Sequence, residues 1–304
     1  AGTSSFDAAG SGNLIGNPNT EIEITSASND IGLMRFASDP ATIKNLTLNT
    51  VNSAATLKLD NSIRIDGDLS LINGNLNIQG NVLTITPLTG SIIGGSANSY
   101  IITGVGGKLR QDIVNSANTT FPLGNINAYA PATITNMGST AILDMGINVV
   151  PGVKAFGATG PDLASLEPIV NATWTTDVGG STSFTYALEP MWSASMEVNG
   201  FDRGKYHISR YIGGSSLWSK SATSMATTSG SMYTGKGENI TTSGNFAVFD
   251  ENTLSINNLA NSSIISLRPN PAKNILFVIM GNMQNAQASL YNISGQFVGS
   301  TQLN

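Results

Sequence analysis

Between residues 57 and 85, in LKLDNSIRIDGDLSLINGNLNIQGNVLTI, apolar positions come as alternating pairs: Leu57/Leu59, Ile63/Ile65, Leu69/Leu71, Leu76/Ile78 and Leu83/Ile85. Within a pair the period is two, which is a short strand with one buried face. Each pair follows the last by six or seven residues, and Gly, Asn or Asp fills most of the gaps. The Asp66-Gly67, Asn73-Gly74 and Gly80-Asn81 steps tolerate positive φ, so the chain can turn sharply there. Short strands at near-constant spacing predict the coils of a small β-solenoid. Asn-Gly and Asp-Gly are hairpin signals as well, so a meander of hairpins is the rival geometry.

Alternation extends to both sides. Residues 21–25 (EIEIT) predict a strand with Ile22 and Ile24 on one face, and 31–36 and 43–48 lead into the repeat. Pro87 and Gly94-Gly95 break the pattern. Residues 91–93 then read as a last coil and 100–103 as an exit strand. From Gly104 on, strands are expected at 108–114, 119–124, 129–136, 141–150, 169–175, 183–188, 191–198, 206–211 and 245–250, with a long loop over 151–168. That spacing, without a helical period, predicts a jelly-roll-like β-sandwich. The expected organisation is all-β. An N-terminal arm and β-solenoid-like repeat occupy 1–103, a β-sandwich 104–251, and a linker with a partial immunoglobulin-like C-terminal domain 252–304.

Composition narrows the setting. Charged residues are only 11% of the chain, the net charge is −5, and there is no cysteine. A surface of small neutral polar groups is typical of extracellular β proteins and leaves little repulsion between copies. No Lys/Arg cluster is present to displace counterions, so nucleic acid is not an expected partner. Without cysteine, stability must come from backbone ladders and core alone. No apolar run is long enough to span a bilayer, so no transmembrane segment is expected. The opening AGTSSFDAAGSG reads as a mature or trimmed N-terminus, its export signal already removed.

Candidate chemistry is sparse. His207, the one histidine, sits in KYHISRY. It could serve a triad only with a Ser and a carboxylate brought together by the fold, and it reads as a strand-surface residue. No Gly-x-Ser-x-Gly elbow is present. Glu189, Glu197 and Asp202 lie near tryptophans and could form a glycosidase pair, but no motif sets their separation. Trp174, Trp192 and Trp218 lie in alternating strands, where large aromatics fill sandwich cores; exposed, they would stack on sugars. Asp60, Asp66 and Asp68 lie at turns of the repeat and are candidate calcium ligands. Their spacing is neither an EF-hand nor a β-roll repeat, and Asp before Gly is also plain turn chemistry. GVGGK at 104–108 lacks P-loop spacing and a following helix. No catalytic residue and no cofactor are assigned, calcium being the one ion the turns suit, and an enzyme is not the expected class.

The tail carries a family pattern. ISLRPNPAKNILFVI followed by ASLYNISGQFV resembles the C-terminal sorting domain of proteins exported by the type IX secretion system of Bacteroidetes. The motif positions are Pro269, Asn270 and Pro271 between two apolar strands, then Tyr291 and Gly295 in a hydrophobic-Tyr-x-hydrophobic-x-Gly turn. The family's later strands do not follow within these residues. SYIITGVGGKLRQDI, TTFPLG, Tyr129-Ala130-Pro131, Trp174, Trp218 and Phe246-Ala247-Val248 resemble uncharacterised β-repeat surface proteins of the same bacteria. The resemblance implies export to the outer cell surface or medium and the type IX machinery as a partner. It implies no defined activity. The expectation is therefore a structural subunit of an extracellular fibre or layer, a homopolymer held by strand exchange or β-augmentation at edge strands. The N-terminal arm is the candidate donor. A monomeric adhesin binding surface glycans, or an exported hydrolase, are the alternatives.

Overall fold

Twelve strands build a solenoid. They are β1 (Glu21–Ile24), β2 (Asp30–Met34), β3 (Ala41–Ile43), β4 (Asn45–Asn49), β5 (Thr56–Leu59), β6 (Ile63–Ile65), β7 (Asp68–Asn73), β8 (Asn75–Gln79), β9 (Val82–Ile85), β10 (Ser91–Gly94), β11 (Ile101–Thr103) and β12 (Lys108–Ile113). This is a computed structural model, and it describes residues 13–26, 29–86, 89–165, 167–213, 217–219, 224–251, 265–268, 277–280 and 286–303. The solenoid strands pair in parallel in three sheets: β1-β4-β7-β10, β2-β5-β8-β11 and β3-β6-β9-β12. Each turn lays one strand in each sheet, so the coil is triangular and makes four turns. The solenoid expectation is borne out. A hairpin meander would pair neighbours antiparallel. The six- or seven-residue spacing is one side of the triangle, and the Asp-Gly and Asn-Gly steps are its corners.

In-register ladders form the core. Leu46 stacks on Leu69, Leu57 on Leu76 and Ile101, and Ala41 on Ile63 and Leu83. All ten side chains of the alternating pairs are buried. The many Asn and Thr residues join the turns to one another. Asn45 Oδ1 accepts the Asp68 N–H at 2.8 Å, Asn73 Nδ2 donates to the Thr50 carbonyl at 2.7 Å, and Asn81 Nδ2 to the Leu59 carbonyl at 2.9 Å. Neutral polar side chains at corners satisfy backbone groups that a tight bend leaves unpaired.

The third solenoid sheet does not stop at the fourth turn. β12 pairs in parallel with β9 on one side and antiparallel with β16 (Ile142–Pro151) on the other. Strand polarity within this one sheet thus changes between β12 and β16. Before β16 come β13 (Asn118–Phe121), β14 (Leu123–Gly124) and β15 (Ala132–Asn136); after it come β17 (Lys154–Phe156), β18 (Thr159–Asp162), β19 (Ile169–Val170), β20 (Ala172–Val178), β21 (Tyr186–Trp192), β22 (Glu197–Val198), β23 (Tyr206–Ile212), β24 (Leu217–Ser219), β25 (Thr227–Ser229), β26 (Met232–Thr234), β27 (Gly237–Ile240) and β28 (Gly244–Asp250). The extended sheet continues β12-β16-β20-β28, with β19, β22, β23 and β24 beyond. A second sheet, β13-β15-β21 with β25, β26 and β27, packs against it and makes the sandwich. One hydrophobic cluster runs from Ile24 in the first turn to Val248 in the sandwich. β14 meanwhile adds to β11, extending the second solenoid sheet.

The stretch expected as a long loop over 151–168 is structured. β17 and β18 pair, a single 3-10 turn follows at Leu163–Ser165, and Val153 and Leu163 pack with Ile169, Trp218, Ala247 and Phe249 in a smaller second cluster. This layer covers the outer face of the β23/β28 pair, so strands there are buried on both faces.

In the tail, β29 (Ile265–Arg268) pairs with β30 (Phe277–Met280), and β31 (Ala286–Tyr291) with β32 (Phe297–Leu303), all antiparallel. Pro269, Asn270 and Pro271 lie outside the described residues. Tyr291 pairs with Phe297, and Gly295 takes φ +79° in the turn between them.

Candidate functional site

The residues singled out by type do not converge. His207 corrects the surface expectation: it is buried at 5% exposure, stacked on Phe249 with ring centroids 5.7 Å apart. Alternation holds along β23, with Tyr206 and Ile208 in the main core. The opposite face, which the sequence suggested was open, lies under the 151–168 layer.

The three carboxylates occupy separate settings. Glu197 accepts from the Trp192 indole at 2.8 Å and takes a two-pronged pair from Arg203, whose guanidinium lies 3.8 Å from the Tyr233 ring centre. Glu189 faces Lys236 at 3.6 Å, and Asp202 accepts the Gly204 N–H. All three indoles are buried: Trp174 and Trp192 at 0% and Trp218 at 4%. Two spend their N–H on backbone carbonyls, Trp174 on Ala130 and Trp218 on Lys154, both at 3.0 Å.

The aspartates of the repeat are also spread out. Asp60 pairs with Arg35, Asp66 with Arg64 and the Thr86 hydroxyl, and Asp68 accepts from the Ser91 hydroxyl. The Thr86 hydrogen bond, then Arg64, hold Asp66 below the usual carboxylate value. Among the described residues, no three His, Cys, Asp or Glu side chains gather to hold a metal ion.

What the fold does bring together is a pair of strand edges. β10 is the last strand of the first solenoid sheet and pairs only with β7 among the described residues. β13 is the first strand of the second sandwich sheet and, among the described residues, pairs only with β15. Both line one cleft of about 400 Å³, with Gly94, Gly95 and Ile92 on one wall, Asn118, Thr119 and Thr120 on another, and Tyr129 and Pro122 among its remaining lining residues.

The ladder directions follow from the observed bonds. The Ser91 and Gly95 N–H groups donate to the carbonyls of Gly67 and Leu71, toward β7. Successive residues alternate sides, so the backbone groups of Ile92 and Gly94 point away from β7. The Ala117 carbonyl accepts from Asn136 on β15, so Asn118 and Thr120 point away from β15. The lining is nearly uncharged; its one carboxylate, Asp112, accepts the Asp144 N–H at 2.8 Å. Tyr129 stands 5.3 Å from Tyr100 ring to ring, and burial pushes its phenol above the usual value.

No local signal in the sequence marks this cleft. Gly94-Gly95 reads only as a break, and 119–124 as one strand among many. Its walls are joined by the solenoid's last turn, which places residues 90–95 beside 118–122.

Comparison with family models, with curated proteins and with solved structures finds no match. The class is therefore defined by architecture: an all-β protein in which a triangular β-solenoid runs without interruption into a β-sandwich.

Proposed function

We propose that this chain is an exported structural subunit of the outer cell surface, joined to copies of itself by strand pairing at open sheet edges. The observation that carries this reading is the convergence of two edge strands, β10 and β13, on one cleft whose lining holds a single carboxylate. Unpaired strand groups are a template for another chain, and natural folds otherwise shield them with charge, proline or a covering element. The 11% charged composition adds little repulsion between copies. Export and surface location rest on the resemblance of the tail to type IX sorting domains, with Tyr291 and Gly295 in its described part.

The glycan-binding alternative needs an exposed row of indoles, and all three are buried. The hydrolase alternative needs facing carboxylates, and Glu189 and Glu197 each lie against a cation instead. Electron microscopy of material taken from the cell surface or medium, without refolding, tests the proposal. Regular filaments or sheets that disappear on deletion of residues 1–15 are the expected result. Dispersed monomers from the full chain would overturn it.

A further inference from the structure

We infer that the β10/β13 cleft is an acceptor for one extended strand, and that its occupant is the segment 1–12 of a second copy of this chain. The inference rests on the structural-subunit reading and names the joint that reading requires.

The cleft suits a main chain better than a small molecule. Beside the polar side chains of Gln111, Asp112, Asn118 and Thr119 it presents outward backbone groups at Ile92, Gly94, Asn118 and Thr120, which match an extended strand. Gly94 and Gly95 have φ of +83° and +98°, and a Cβ there would run into the Leu71 carbonyl and Pro122, so the bend that forms this wall needs glycine. The walls also bound the occupant. The second and third solenoid sheets run on into β14 and β16, so the blunt first turn of another solenoid cannot stack here as a whole. Only a single strand with little behind it enters.

Segment 1–12, AGTSSFDAAGSG, fits those limits. It is built of small residues, with Phe6 its one large apolar side chain, and the cleft offers Tyr129 and Pro122 for a ring. Its point of departure is at the other end of the solenoid. Leu14 pairs with Phe36 over the first turn, whereas β10 lies on the fourth. β1 and β10 are the two edges of one sheet, about 14 Å apart at about 4.8 Å per strand. An arm leaving one end and a cleft at the other make a head-to-tail contact, which propagates into a filament when it does not close.

The cysteine-free chain allows a direct test. Full-length Ser5→Cys and Asn118→Cys proteins are mixed under mild oxidation and read on a non-reducing gel. A mixed disulfide dimer is the expected product. Thr120→Pro in the Asn118→Cys chain removes an outward N–H and keeps the backbone bonds to β15, losing there only the Thr120–Thr133 hydroxyl bond. It should lower the dimer yield about tenfold, by loss of one donor and the bulk of the ring. Circular dichroism of the Thr120→Pro chain confirms that it folds. The Ser5→Cys/Asn118→Cys double variant, held dilute, reads the intramolecular case.

A disulfide within one chain and none between chains would overturn the inference, because the arm would then close its own cleft. No mixed disulfide, with filaments still lost on deleting 1–15, would place the acceptor elsewhere and leave the proposed function standing. Filaments unchanged by that deletion would overturn the inference and leave the structural-subunit reading standing.

Discussion

The indole N–H of Trp174 on β20 donates to the carbonyl of Ala130, just before β15, at 3.0 Å. The bond crosses the sandwich from one sheet to the other inside a core where both residues are fully buried. Trp174→Phe keeps most of the apolar volume and strands that carbonyl. The expected loss is about 1–3 kcal/mol in urea unfolding followed by circular dichroism. Trp174→Ala adds a cavity and should lose about 3–5 kcal/mol. No measurable loss for Trp174→Phe would show that the hydrogen bond contributes nothing.

Gly74 at a solenoid corner has φ +90°, and a Cβ there would lie 2.4 Å from Thr50 Oγ1. That hydroxyl is engaged with the carbonyls of Asn52 and Asn73, so it cannot simply swing away. Gly74→Ala should destabilise by more than about 1 kcal/mol. Gly106→Ala is the control: φ is +86°, with nothing within 4 Å of the added carbon. Its smaller loss, measured in the same thermal melts, isolates backbone strain from the clash.

Asp177 on β20 links the two halves of the long sheet. Its hydrogen bond with Lys108 of β12, and then the neighbouring charges of Lys108 and Arg110, hold its carboxyl below the usual 3.8. A depressed folded value means the unfolded chain takes up the proton first. The stabilisation is therefore fully present above about pH 4 and is lost as pH falls through the folded value. Urea midpoints from pH 6 to pH 2 should drop more steeply for the native chain than for Asp177→Asn. Parallel curves would remove Asp177 from the acid response.

His207 is the one histidine, so its modification can be read without ambiguity. Buried against Phe249 beneath the second cluster, it should react with diethyl pyrocarbonate only slowly in the native protein. Trp218 packs on Phe249 with ring centroids 5.4 Å apart and holds the Lys154 carbonyl. Trp218→Ala should speed the reaction by loosening the layer. Fast reaction of the native chain would contradict its burial.

The solenoid was legible because its signal is local. Ten alternating apolar positions between Leu57 and Ile85 are all buried, and their spacing is one side of the triangle. Most strands of the sandwich were legible for the same reason, as were the buried indoles; β24 to β27 were not, for the reading placed no strand between 211 and 245. The 151–168 layer was not legible, because Gly and Pro at intervals read as a loop whether or not the stretch packs on something. His207 was misplaced with it: alternation tells which residues share a face, and says nothing of what lies over that face.

The sequence by itself determined the all-β class, the turn positions of the repeat, and which residues of its strands share the inward face, since period and turn chemistry act over a few residues. Only the tertiary structure decided parallel over antiparallel pairing, because Asp-Gly and Asn-Gly serve a solenoid corner as well as a hairpin. It alone joined the solenoid to the sandwich through β12, and it alone set the edge of β10 beside that of β13. Those contacts link residues distant in the chain, and their geometry follows from the packing of a whole core.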